Sequence, residues 1–386
     1  MRGRLKSIQI KHFKAVGDSG RLPLTPLTAF IGNNGSGKSS IIEALQSLQR
    51  LVTEGLDPAM QAFKGLEHLR NKASALKTQR RKVMDPKPEY RPVEFRLSGT
   101  WKPDSRGRGK SIQFRSLTQI ADRENHNQYV LERDDVTILG MGPFGTSSVK
   151  SLSSHTIPVD LARVAGPFIK RWQFLQLEPT GMGEPSATRR AKSQFLLDPD
   201  GSNLADYLWH LVNDYGKKGT QAWDGIVEAL QFVLPYAERV DSAQTIELER
   251  RSYLQLAERG FQIPGWMLST GTVRVLALLA VFRHPDPPPL ICIEEVENGL
   301  DPRTLRLVVN EIQSLIESKR SQVILTTHSP YLLDMLPLSS VVMTQRTPKG
   351  VTFSRPADNK VVKNWADDFA PGQLYMMGRF DAEGAS

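Results

Sequence analysis

Apolar residues along the chain follow distinct patterns, and each pattern predicts an element. Near the start, Leu5, Ile8, Ile10 and Phe13 come close to alternation, which predicts strands. Residues 24–31 (LTPLTAFI) are a short, β-prone apolar run. After a glycine-rich break, Ile41, Ile42, Leu45, Leu48 and Leu51 recur at helical spacing. Between 240 and 345 the pattern changes again. Residues 273–282 predict a long apolar helix interrupted by Arg274, and residues 290–293 a buried strand. Residues 305–316 predict a second helix, and residues 323–326 another buried strand. Continuous apolar strands separated by helices imply an α/β fold whose sheet is largely parallel and covered on both faces.

The middle of the chain is mixed. Residues 93–99 and 111–117 look like strands, residues 140–154 are rich in Gly and Ser, and residues 203–212 and 223–234 look helical. Ser202 or Asn203 is a suitable N-cap for the first of these helices. No heptad pattern persists long enough for a coiled coil, and no internal repeat is visible.

The glycine-rich break reads GNNGSGKS, residues 32–39. Gly32, Gly35 and Gly37 let the backbone curl until several N–H groups point into one concavity, with Asn33, Asn34 and Ser36 as the spacers. Lys38 supplies a mobile positive charge, and the hydroxyl of Ser39, followed by Ser40, is a hard-oxygen ligand for Mg²⁺. Strand, glycine loop and helix in this order predict a phosphate-binding loop for a nucleoside triphosphate with Mg²⁺.

Further sites lie at predicted strand and helix ends. Residues 290–302 read LICIEEVENGLDP, so two carboxylates leave a buried strand at its C-terminal end, where α/β sheets place their ligands. If the two alternate in direction, Glu294 reaches the metal and Glu295 faces an attacking water as general base. Residues 321–330 (SQVILTTHSP) end another apolar strand in His328, placed to hydrogen-bond a γ-phosphate or the lytic water. Residues 268–280 (LSTGTVRVLALLA) open a helix at Ser269 and Gly271, and the free N–H groups there suit an anion. The glycine loop already serves this chain's own triphosphate. A second anion site makes sense if it closes on the γ-phosphate of a partner subunit's nucleotide.

Composition narrows the surroundings. The longest apolar runs fall short of the ~20 residues a membrane-spanning helix needs, and the basic N-terminus lacks the apolar core of a secretion signal. Cys292, the one cysteine, sits in an apolar run and cannot form an internal disulfide, which suits a reduced cytoplasmic compartment. The net charge of +9 is concentrated in residues 70–91, in 105–110 (SRGRGK), and in Arg189, Arg190 and Lys192. These segments either track a nucleic-acid backbone or form a solvated face.

The ordered set GNNGSGKS, LSTGT, LICIEE, ENGLDP and TTHSP resembles the ABC-type ATPase heads of the SMC/RecF-like superfamily. It is more closely similar to predicted bacterial AAA-type ATPases related to the OLD-type family. The opening LKSIQIKHFKAV and the late GQLYMMGRF (372–380) extend the match. The resemblance implies an ATPase core formed by residues 1–60 and 240–345, an inserted lobe at 61–239 with basic segments, and a tail at 346–386. It implies a head-to-head dimer, or a higher homo-oligomer, holding two ATPs. There Ser269, Thr270 and Gly271 act in trans, and residues 298–301, with Asn298 and Asp301, form a seam loop. A glutamine that ligates Mg²⁺ is also implied, with Gln119, Gln128, Gln173 and Gln176 as candidates. Three positions depart from the usual pattern: Thr272 stands for Gln, Glu294 for Asp, and Asp301 for the His of close relatives.

The same resemblance implies ATP-driven regulation of a DNA- or RNA-linked process, such as the sensor of an anti-phage defence system with a separate nuclease or toxin as effector. An ATP-gated scaffold with little turnover, or the nucleotide-binding subunit of a transporter, are the alternatives. The large insertion and the absence of Gln from the signature turn count against the last.

Overall fold

A computed structural model describes residues 3–76, 89–102, 111–123, 128–139, 142–147, 157–189, 195–245, 250–348 and 350–380. Most of the basic stretch within 70–91, all of 105–110, and Arg190 and Lys192 lie outside the described residues. The chain forms two compact units, Met1–Trp172 with Leu338–Ser386, and Gln173–Pro337.

The first unit is built on an antiparallel sheet. Its strands run in the order Val16–Asp18, Gly3–Phe13, Val93–Trp101, Ile112–Arg123, Gln128–Ile138 and Gly142–Ser147, and Leu22–Pro23 also pairs with Gly3–Phe13. The last strand falls in the Gly/Ser-rich stretch. Its backbone is extended because it is hydrogen-bonded to Gln128–Ile138, a partner that local composition does not reveal. One face carries Leu5, Ile8, Ile10, Phe95 and Leu97 into the core. Helix Val159–Ile169 is tied to the sheet through its N-terminus: the fully buried Asp134 accepts from the Asp160 N–H at 2.9 Å and the Leu161 N–H at 3.4 Å. A carboxylate at this position compensates the helix dipole. Burial nevertheless dominates and pushes the Asp134 carboxyl up to about 6.

The same unit holds strand Leu27–Ile31, every residue of which is buried. It pairs in parallel with Val341–Thr347, which is joined in antiparallel by Gly350–Ser354. Helix Lys38–Glu54 follows the glycine loop and buries Ile41, Ile42, Leu45, Leu48 and Leu51, the periodic set read from the sequence. Gln49 on that helix donates to the Trp172 and Ile169 carbonyls at 2.7 and 3.1 Å. Short helices Lys360–Trp365 and Pro371–Met376 bury Val362 and Leu374.

In the second unit Leu290–Ile293 pairs in parallel with Gln322–Thr327 on one side and Gln173–Leu175 on the other. The strands are buried throughout because both faces are covered, and Leu290–Ile293 is apolar along its whole length. Helix Thr270–Arg283 is buried from Thr272 to Phe282 on all sides, as expected of a helix apolar all round. Helix Pro302–Glu317 is amphipathic and buries Leu305, Val308, Val309, Ile312 and Leu315. Helix Leu204–Asn213 begins at Asn203, yet the Asn203 side chain caps nothing. It accepts from the Asp198 N–H and donates to the Leu196 carbonyl instead.

Candidate functional site

The residues read as functional fall in both units, and each set is described within its own unit. In the first, the loop leaves Leu27–Ile31 at Gly32. A Cβ on Gly32 would lie 2.1 Å from the Thr344 carbonyl oxygen, so only glycine fits there. Gly37 takes φ 105° and leads directly into the buried helix. Lys38 is buried, and its ammonium donates to the Gly32 and Asn33 carbonyls at 2.7 and 3.1 Å. Ser39 is exposed at the helix start and Ser40 is buried. Ser36 is 4 % exposed, and its hydroxyl has no hydrogen-bond partner among the described residues. A buried hydroxyl without a partner is costly unless a ligand satisfies it. Together with the cradle at Gly32 and the lysine, it makes the loop fit a phosphate chain. Asn33, Asn34 and Gly35 form the exposed rim. The Tyr375 hydroxyl from the late GQLYMMGRF segment donates to Asn33 Oδ1 at 3.3 Å, 342 residues away in sequence.

In the second unit the acidic turn differs from its expected geometry. The strand ends at Ile293, so Glu294 and Glu295 do not alternate as strand residues. Glu295 instead has φ 45°, a left-handed backbone that is unfavourable for a side-chain-bearing residue. Three bonds hold it there. Its N–H donates to Thr326 Oγ1 at 3.0 Å, its carbonyl accepts from Arg274 Nη2 at 2.8 Å, and its carboxylate accepts from the Asn298 side-chain amide. The Glu294 N–H donates to the Leu175 carbonyl at 2.8 Å.

Ser269 is the N-cap of helix Thr270–Arg283, with Oγ accepting from the Thr272 N–H at 3.1 Å and lying 2.7 Å from the Thr272 hydroxyl. Ser269 and Thr270 are exposed. A Cβ on Gly271 would come 2.9 Å from the Gly299 carbonyl, so the signature turn and the 298–301 loop pack closely within one chain. Asp301 caps helix Pro302–Glu317 by accepting from the Arg303 and Thr304 N–H groups and the Thr304 hydroxyl. The Thr304 hydroxyl foremost holds the Asp301 carboxyl below its usual range.

The glutamines separate on structure. Gln173 is buried and donates to the Leu197 and Phe174 carbonyls, and Gln119 donates to Glu94 on the antiparallel sheet of the first unit. The Gln128 side chain lies outside what is described. Gln176 is exposed and directly follows the strand whose Leu175 stands level with Ile293.

Two further residues belong to the site and do not follow from the sequence motifs. Arg274, 4 % exposed, donates to the Leu177 carbonyl at 2.9 Å as well as to Glu295. Burial lowers its affinity for a proton, which the charges of Glu297 and Glu295 partly restore. Glu297 lies behind His328. A charged residue in an all-apolar helix is the one signal that points to Arg274, and no sequence signal marks Glu297.

Among the described residues no group of three or more His, Cys, Asp or Glu side chains could hold a metal ion. Mg²⁺ usually takes only one or two protein ligands beside substrate phosphates.

Residues 4–129 match the family described as "AAA ATPase domain", and residues 171–334 match "AAA domain, putative AbiEii toxin, Type IV TA system". The chain is 22% identical over 394 residues to the OLD nuclease of Thermus scotoductus, covering 98% of this chain and 68% of that protein. A crystal structure of an SMC head bound to the C-winged helix domain of ScpA is similar at TM-score 0.57 and 14% identity, covering 91% of this chain and 96% of that one. An SMC head domain with an extended coiled coil, bound to the C-terminal domain of ScpA derived from Pyrococcus furiosus, gives 0.55 at 14% identity with the same coverage. At such identity these structures speak for the fold, which is the mixed α/β architecture of ABC-ATPase heads. Two AAA-domain models thus match the chain, over residues 4–129 and 171–334, it is similar to an OLD nuclease, and its fold is that of ABC-ATPase heads.

Proposed function

We propose that this chain binds ATP with Mg²⁺ at the glycine loop and hydrolyses it between two copies that meet head to head. The observation that carries the reading is the buried, unpartnered Ser36 hydroxyl in a concavity that tolerates no Cβ at Gly32 and ends at a helix N-terminus. Loop N–H groups hold the phosphate oxygens, and Lys38 turns from the Gly32 and Asn33 carbonyls to the same oxygens. Ser39 and Glu294 are the residues assigned to Mg²⁺, with Gln176 as a further candidate, and the ion when bound would neutralise phosphate charge. Glu295 accepts the proton of the attacking water, and His328 hydrogen-bonds the γ-phosphate or that water. From the facing copy, Ser269, Thr270 and Gly271 close on the γ-phosphate, and residues 298–301 line the seam.

Closing and reopening the dimer is proposed to regulate a DNA- or RNA-linked process, as the sensor ATPase of an anti-phage defence system with a separate nuclease or toxin. The nuclease and toxin named in the matches support an effector of this kind. For nucleic acid, the described part of the middle segment contributes Arg96 and Arg115. With Arg21 they line a cavity of about 360 Å³ on the antiparallel sheet. Leu97, Leu117 and Asp135 share that lining and Arg96 is paired with Glu94, so the arginines there offer phosphates a mixed rather than a purely basic surface. A cytoplasmic location fits the buried Cys292, and no described helix is long and apolar enough to cross a membrane.

The test is Mg²⁺-dependent phosphate release from ATP by the full chain and by Lys38→Ala. Turnover in the first and none in the second supports the reading. Equal turnover in both, or none in the unaltered chain, contradicts it.

A further inference from the structure

Glu297 stands two residues beyond Glu295, and its carboxylate is 8 % exposed. Its Oε1 accepts from the Thr327 hydroxyl at 2.8 Å and from the His328 backbone N–H at 2.8 Å. The same oxygen lies 3.3 Å from His328 Nδ1. Oε2 is buried without a hydrogen-bond partner among the described residues. The His328 side chain is 47 % exposed, so the ring stands against a buried carboxylate on one edge and opens outward on the other.

Glu297 Oε1 closes the strand end by accepting from the Thr327 hydroxyl and the His328 N–H, which a neutral acceptor could also do. A buried carboxylate is an expensive choice for that task alone. Its placement is accounted for by what it does to the imidazole. At 3.3 Å the ring nitrogen is in polar contact with that oxygen, and because an ionised carboxylate only accepts, a ring that turns to bond it does so as an Nδ1–H donor. With Nδ1 turned to Glu297, Nε2 is the outward atom.

We propose that Glu297 is a positioning residue that fixes the rotation and the proton placement of His328, so that Nε2, left as the acceptor of the neutral ring, takes a hydrogen bond from the attacking water. The inference rests on the role assigned to His328 above. Glu297 touches no reacting atom and acts only through the ring. Carboxylate–histidine pairs at metal sites supply a scale for such a role: removing the outer carboxylate there typically costs about 10–100-fold in metal affinity or activity.

Two measurements on the full chain decide it. In ¹⁵N-histidine NMR at a pH where the rings are neutral, His328 is assigned by its loss in His328→Gln. The proposal expects its proton on Nδ1, moving toward Nε2 in Glu297→Gln. A wild-type ring protonated on Nε2, or a spectrum unmoved by Glu297→Gln, overturns it. In ATP turnover, Glu297→Gln is expected to lower kcat by about tenfold or more, with KM for ATP within about twofold, and to have no further effect in a His328→Ala background. Equal losses in both backgrounds overturn it. If the unaltered chain releases no phosphate, the hydrolytic reading fails, and the NMR result still decides whether Glu297 sets the ring.

Discussion

Arg274→Met removes a guanidinium that braces the acidic turn from within the apolar helix. Arg274 makes short bonds to the Leu177 carbonyl at 2.9 Å and the Glu295 carbonyl at 2.8 Å. Each is charge-assisted and worth about 1.5–3 kcal/mol. Methionine recovers the desolvation cost of a buried charge, so the expected net loss of stability is smaller, about 1–3 kcal/mol. The local consequence is larger than the global one. Glu295 sits at φ 45°, which costs about 1–2 kcal/mol. With Arg274 present, its bond and the ~1 kcal/mol bond to Thr326 together outweigh that strain. Without it, Thr326 is the remaining backbone tether from outside the turn and roughly balances the strain, with the Asn298 side chain holding only the carboxylate, and the turn loosens. Losing a tether of about 1.5–3 kcal/mol shifts the turn's equilibrium by roughly 10–100-fold. ATP turnover by Arg274→Met is therefore expected to drop at least about tenfold, while nucleotide affinity, set by the glycine loop, changes little. Arg274→Lys, whose ammonium cannot bridge both carbonyls, should fall between. Denaturant unfolding and steady-state turnover of the three proteins check this. Wild-type stability and turnover in Arg274→Met would mean that the guanidinium braces nothing.

Asp134 supplies a pH dependence of defined sign. Its carboxyl is raised to about 6 from the ordinary 3.8, so between these limits the folded chain holds a proton that the unfolded chain has released. Stability from this group is present below about pH 4 and is lost as pH rises through 6, by up to about 3 kcal/mol. Asp134→Asn keeps an acceptor for the helix N–H groups and should flatten that slope in unfolding measured from pH 4 to 7. Gly32→Ala forces a methyl against the Thr344 carbonyl, and a loss of about 1–3 kcal/mol in thermal unfolding is expected, together with loss of ATP-dependent protection. Reversing charge at Arg96 and Arg115 should weaken any DNA or RNA binding uniformly across sequences, and lower the salt slope by about one for each phosphate no longer neutralised.

Elements whose signals are local are legible in the sequence. The loop strand, the loop helix and the buried strand Leu290–Ile293 follow from apolar spacing and glycine placement alone. Features that depend on distant partners are not. Gly142–Ser147 is a strand because a neighbour pairs with it, and Gly and Ser carry no strand preference of their own. Gln176 ranks level with three other glutamines until strand pairing places Leu175 beside Ile293. Glu297 reads as one more exposed acid in a loop, and only its burial against Thr327 and His328 distinguishes it. The alternation expected for Glu294 and Glu295 fails because the strand stops one residue earlier, at Ile293, and the backbone turns left-handed at Glu295.

A triphosphate clamped between two copies of the chain has a signature in mass, and Glu295→Gln with ATP and Mg²⁺ is the protein to weigh. With hydrolysis blocked, light scattering after size exclusion should show the 43.2 kDa chain shift to twice that mass, and the shift should vanish when Ser269→Arg is added. A protein that binds ATP tightly and still runs at 43.2 kDa would rule the clamp out.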